Sequence, residues 1–352
     1  MNIKLDEIQS KQEKLKRVSK KLKKDFIGID NIIDEVIDQV RAWYILPQIL
    51  SRPVIINLWG MTGIGKTNLV RKLVKYLDFL DKFAEIDLSQ SFSFGFYGGL
   101  RGVFSQMSIK SSEQNIVLFD EFQKFRTITE DGKESGHEKL DEFWELLSDG
   151  KISKKKSIRI VEEFVAESLF DLEERKKDPK DKGMPYDLKK PWNSYKLSDS
   201  LGGAISYREL FDMQGEELVK KLQKMIKFKE FLEPEDYSRT LIIISGNLDE
   251  AYRMAVLTDE AEVDADVFHA QSSKISVVDI KNSLKSRFRP EQISRLGNIH
   301  VIYPSLRKMD FKLLIKKRVS SVFEKFKKYA GLKIKADQSI YDLVYKNGVF
   351  PV

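Results

Sequence analysis

The run GMTGIGKT, Gly60 to Thr67, constrains the fold of this chain more than any other feature of it. It fits the phosphate-loop pattern G-x4-G-K-[ST], and its flanks are those the pattern requires: the apolar run VIINLW before it and the helical pattern NLVRKL after it. Glycines let backbone N–H groups turn inward around phosphate oxygens at the amino end of a helix, where the helix dipole also favours negative charge. Lys66 adds a point charge to the same oxygens, and the Thr67 hydroxyl is suited to ligate magnesium. Gly60, Met61, Thr62, Gly63, Ile64, Gly65, Lys66, Thr67 and Asn68 are therefore the expected nucleotide contacts.

Such a loop belongs to a strand–loop–helix unit, and the chain supplies further strands to complete a sheet. FAEIDL, NIVLF (Asn115 to Phe119), LIIIS (Leu241 to Ser245) and IHVIY (Ile299 to Tyr303) are short apolar runs separated by helical patterns. Continuous apolar strands alternating with helices predict a parallel sheet covered on both faces. Two of these runs end in polar groups. NIVLFDEF places Asp120 at the carboxyl end of a buried strand, within reach of a magnesium shell, and Glu121 directly after it as a general base that polarises water for attack on a γ-phosphate. IIISGN ends at Asn247, whose amide can donate to the γ-phosphate or orient the water.

Charge divides the chain. The total is +7, but residues 1–24 carry nine Lys/Arg against three Asp/Glu and residues 307–335 eleven against two. Surpluses of six and nine leave the remainder acidic by eight, so the basic excess belongs to two helix-like segments. The first, with Leu5, Ile8, Leu15, Val18 and Leu22 among its lysines, is expected to be a basic helical arm. Residues 151–238 are expected to be an insertion, with two helical patterns around the stretch KKDPKDKGMPYDLKKP. There is no cysteine, which excludes a disulfide framework and a thiolate metal site. His137, His269 and His300 are far apart, so no metal chemistry beyond magnesium is expected. A charged beginning and no long apolar run point to a cytoplasmic protein without a membrane span.

The series GMTGIGKT, NIVLFDEF, IIISGN and SRFRPEQISRLGNIHVIYPSL resembles an AAA+ ATPase, and the last string resembles Clp-type unfoldases. The resemblance covers roughly residues 25 to 350 and implies a P-loop three-layer α/β/α fold with a five-stranded parallel sheet over 25–304. The start of a small helical lid over 305–352 would follow. It implies ATP or ADP and Mg²⁺ as ligands and ATP hydrolysis as the reaction. A homohexamer is implied too, with Arg295 as an arginine finger offered in trans; Arg287 and Arg289 are its rivals. DFIGID resembles the adenine-pocket phrase, which implicates Ile27 and Gly28. GFYG resembles a pore loop, in which Phe96 and Tyr97 would grip a threaded protein substrate. The chain departs from the family in its insertion and in stopping before a second sensor arginine. A downstream or partner protease is a further partner the family suggests. Two other readings remain open at this point: a nucleotide-switch (STAND-like) signalling ATPase, and a nucleic-acid motor or loader that uses the basic arm.

Overall fold

The structure, a computed structural model, describes residues 5–90, 99–128, 141–153, 155–175, 191–201, 205–213, 215–228, 233–247, 264–331 and 334–348. It divides into two compact units, Met1–Gly150 with Tyr237–Val352, and Lys151–Asp236.

The first unit is built on a helix pair, α1 (Leu5–Asp25) and α2 (Asp30–Ile45), and on strand β1 (Val54–Trp59), which leads into α3 (Lys66–Leu77). β2 (Phe83–Asp87), α4 (Leu100–Gln106), β3 (Asn115–Asp120), α5 (Asp141–Asp149) and β4 (Thr240–Gly246) follow. Then come α6 (Ala265–Ser272), α7 (Val277–Leu284), α8 (Pro290–Arg295), β5 (His300–Ile302), α9 (Lys308–Ala330) and α10 (Gln338–Gly348). All five strands run parallel in the order β2-β3-β4-β1-β5. Every residue of β4, at the centre of the sheet, is buried. That is why its sequence reads as an unbroken apolar run instead of alternating. The register pairs Asp87 with Asp120 and Trp59 with Gly246, so the carboxyl ends of β1, β2, β3 and β4 lie along one edge.

The basic segment expected as an arm is a helix packed on this unit. Leu15, Val18 and Leu22, spaced i, i+3, i+7, face α2 and α3 and are buried, whereas Leu5 is 74% exposed. Its lysines are partly spoken for: Lys14 Nζ donates to Leu77 O at 3.0 Å and to Asp78 at 2.8 Å, and Lys23 to Asp34 at 2.6 Å.

A second packing feature backs the turn after β3. Phe122 stacks on Phe288 at 4.9 Å between ring centroids, and Phe125, Phe143 and Trp144 close the cluster. Edge-to-face and stacked rings of this kind add about 0.5–1.5 kcal/mol per pair beyond area burial. They fasten the β3 turn to α5 and to the α7–α8 junction.

After the sheet, α9 buries only Asp310 and Ile315 and ends at Gly331 in the left-handed region (φ 67°). Its apolar residues are half used: Phe311 and Leu314 pack on the core, while Val322 and Phe326 are exposed.

The second unit is helical, with spans Lys155–Arg175, Pro191–Ser200, Tyr207–Asp212 and Gly215–Phe228. Val161, Phe164, Leu197, Leu210, Leu218 and Leu222 form its own core. Its ends meet in a short antiparallel pair, Lys151 opposite Asp236 and Ile152 opposite Glu235. Entry and exit are therefore adjacent, as a segment inserted between two neighbouring elements needs. No described helix is long and apolar enough to cross a membrane.

Candidate nucleotide site

The loop between β1 and α3 is shaped by its glycines. Gly63 and Gly65 have φ of 83° and 94°, a region costly for residues with a Cβ. At Gly60 the restriction is space: a Cβ would overlap Ile64 Cδ1 and lie 2.8 Å from Tyr303 Cβ. The result is a concave run of backbone ending at the first turn of α3, where free N–H groups collect. Lys66, though charged, is buried, and its ammonium donates to Gly60 O and Met61 O at 2.8 Å each.

Facing this loop is the end of β3. Thr67 Oγ1 donates to Asp120 Oδ2 at 2.7 Å, and Asp120 Oδ1 accepts from the Glu121 N–H at 2.9 Å. A hydroxyl and a carboxylate in contact beside a backbone anion cradle form a hard-oxygen donor set suited to Mg²⁺ carried by phosphates. Among the described residues no cluster of three or more His, Asp or Glu offers an all-protein metal cage. That is the ordinary arrangement for magnesium, which keeps water and phosphate ligands.

Glu121 occupies the left-handed region (φ 57°) at the start of the turn Phe122–Lys124. Its carboxylate accepts from Gln123 Nε2 at 2.8 Å and lies 3.1 Å from Lys124 Nζ. The N–H of Asn247, just past β4, donates to Gln123 Oε1 at 2.8 Å. Its side-chain Nδ2 donates to Thr62 Oγ1 at 2.5 Å. Thus the structure gathers Lys66, Thr67, Asp120, Glu121, Asn247 and the loop itself at one edge of the sheet.

Ile27 and Gly28 follow Phe26, whose ring is 3.5 Å from where a Cβ of Gly65 would stand, so this segment abuts the end of the loop. Gly28 (φ 78°) admits the Asp310 carboxyl from α9, which a Cβ would meet at 2.7 Å. Beside it Asp25 accepts from Lys72 Nζ at 2.6 Å and from Tyr76 Oη at 2.5 Å. Burial alone would push Asp25 up, yet these hydrogen bonds hold its carboxyl below the usual range.

The three arginines of SRFRPEQISR differ. Arg287 is buried, with Nε donating to Gln123 O at 3.2 Å. Arg289 precedes α8 and lies 3.6 Å from Glu291. Arg295 is exposed at the end of α8 and makes no hydrogen bond or ion pair among the described residues. Among the described residues no contact brings it to the phosphate loop of its own chain. Phe96 and Tyr97 lie outside the described residues. Sequence reasoning passed over Gln123, Asp25 and Asp310.

Comparison with known proteins agrees with this geometry. Residues 56–162 match the family model described as ATPase family associated with various cellular activities (AAA). The chaperone protein ClpB of Porphyromonas gingivalis (strain ATCC BAA-308 / W83) is 33% identical over 130 residues, covering 33% of this chain and 15% of that protein. ClpB of Rickettsia bellii (strain RML369-C) is 29% identical over the same length and shares. A solved structure of Hsp104 with ATPγS and FITC casein, in its closed state, covers 97% of this chain and 44% of its own, with a TM-score of 0.53 and 16% identity. That likeness bears on the fold. The matches thus span a small part of the ClpB proteins and under half of the Hsp104 chain.

Proposed function

We propose, from the premise that this chain carries an AAA ATPase module related to those of the Clp chaperones, that it binds and hydrolyses ATP and couples turnover to remodelling of a protein substrate. The observation that carries the reading is the 2.7 Å contact between Thr67 and Asp120, made beside a glycine cradle that holds buried Lys66.

In this reading the Gly60–Gly65 backbone and Lys66 bind the β- and γ-phosphates, and residues Ile27 and Gly28 border the adenine. Thr67 and Asp120 would hold Mg²⁺, which when bound neutralises charge on the phosphate oxygens. Glu121 takes a proton from the attacking water, a role worth about 10²–10⁴-fold in rate. Asn247 donates its amide toward the γ-phosphate. Arg295 serves the site of a neighbouring copy in a ring, neutralising charge on the transferring phosphoryl group, for which a guanidinium is worth about 10³–10⁵-fold. Its exposure and its lack of partners among the described residues support that role, and the burial of Arg287 speaks against Arg287 as the finger. Phe96 and Tyr97 would grip the substrate.

Phosphate release from ATP by the purified protein tests this. Glu121→Gln should lower turnover by about 10²-fold or more while ATP still binds. Wild-type turnover in the Glu121→Gln protein would overturn the assignment of the base.

A further inference from the structure

The residue that ties the site together is one that its motifs leave unmentioned. Glu121 is held in the left-handed region, where a residue with a Cβ is disfavoured by about 1–2 kcal/mol. Phe122, locked in the aromatic cluster, keeps it there. That conformation folds the turn tightly enough to bring Gln123 back onto its neighbour two residues earlier, a pair that would point apart on a regular helix. One end of the Gln123 amide donates to Glu121 Oε2 and the other accepts from the N–H of Asn247, both at 2.8 Å. Asn247 in turn donates to Thr62 inside the phosphate loop. The Gln123 backbone is itself anchored, its carbonyl accepting from buried Arg287. The amide carries a donor and an acceptor on one side-chain end; a carboxylate offers no donor and an ammonium no acceptor.

We infer that Gln123 is a positioning residue for hydrolysis: it fixes the Glu121 carboxylate, and its own bond to the Asn247 N–H and its Arg287-held backbone are the anchors. This rests on the reading of Glu121 as the base. A residue that acts only through Glu121 should affect the chemical step and not nucleotide affinity, and its effect should vanish when Glu121 can no longer take a proton. A merely structural residue would lower stability or affinity and act regardless of what stands at 121.

Single-turnover hydrolysis, with protein in excess over labelled ATP, reads slow rates and so suits a comparison of Gln123→Ala and Gln123→Glu in wild-type and Glu121→Gln backgrounds. We expect each to slow hydrolysis about tenfold or more in the wild type, with ATP affinity held within about twofold, since small misplacement of a reacting group is costly. In the Glu121→Gln background neither should slow it further. Gln123→Glu is nearly isosteric and carries the test if the alanine variant folds poorly. An unchanged rate, a loss confined to affinity, or an equal loss in both backgrounds would overturn the proposal. Full turnover in Glu121→Gln alone would overturn the base assignment and this proposal with it, and that failure shows before Gln123 is altered.

Discussion

Single residues show how closely the site and its surroundings are specified atom by atom. Gly60 has ordinary backbone angles, so its constraint is spatial: Tyr303 behind it is fully buried, and its N–H donates to Trp59 O at 2.8 Å, so it cannot yield. Gly60→Ala therefore displaces the loop. Overpacking of this kind costs about 1–3 kcal/mol, which lowers ATP affinity roughly ten- to hundredfold if the loop bears it, readable by titration with a fluorescent nucleotide. His300 is held neutral by two contacts of fixed sense. Trp59 Nε1 donates to its Nδ1 at 2.9 Å, and its Nε2 donates to Gly297 O at 3.1 Å. Burial pushes its pKa below the ordinary 6.5. The unfolded chain then binds the extra proton first, so stability is fully present above about pH 6.5 and is lost as pH falls from there toward the folded-state pKa. Urea midpoints measured from about pH 8 to about pH 5 should fall on the acid side, and His300→Gln should flatten that part of the curve. Thr67 and Asp120 were legible from their spacing to strands alone. Gln123 was not, because its role depends on the left-handed Glu121 before it, and nothing in a DEFQ string announces a backbone angle.

Among the elements, the strands were the most readable, since burial on both faces leaves VIINLW, NIVLF and LIIIS without polar alternation. α1 was harder. It reads as a basic helical arm, but lysines can lie along a packed helix with their ammonium groups at acids on its neighbours, as Lys14 does at Asp78 and Lys23 at Asp34. The buried Leu15–Val18–Leu22 stripe decides the matter. Leu22→Ala should accordingly cost about 2–5 kcal/mol in chemical denaturation; an arm free of the body would lose almost nothing. Among the arginines of SRFRPEQISR the family resemblance favours Arg295 over Arg287 and Arg289. Their separation depends on the aromatic cluster that draws Phe288 inward and carries Arg287 with it, while Pro290 starts a helix that leaves Arg295 outside.

At the scale of the molecule, the proposed finger, Arg295, is exposed at the end of α8. Arg295→Ala and Glu121→Gln chains, each nearly inactive alone, should regain turnover when mixed, because a mixed pair contains one site with both groups; mixtures no more active than either parent would place the finger within one chain. All of this depends on a triphosphate seated on Gly60–Thr67 opposite Asp120. Equilibrium binding of ATP with Mg²⁺ to the Glu121→Gln protein, with and without Lys66→Ala, tests that most directly. Saturable binding that disappears with Lys66 is the predicted result; affinity untouched by its loss would contradict it.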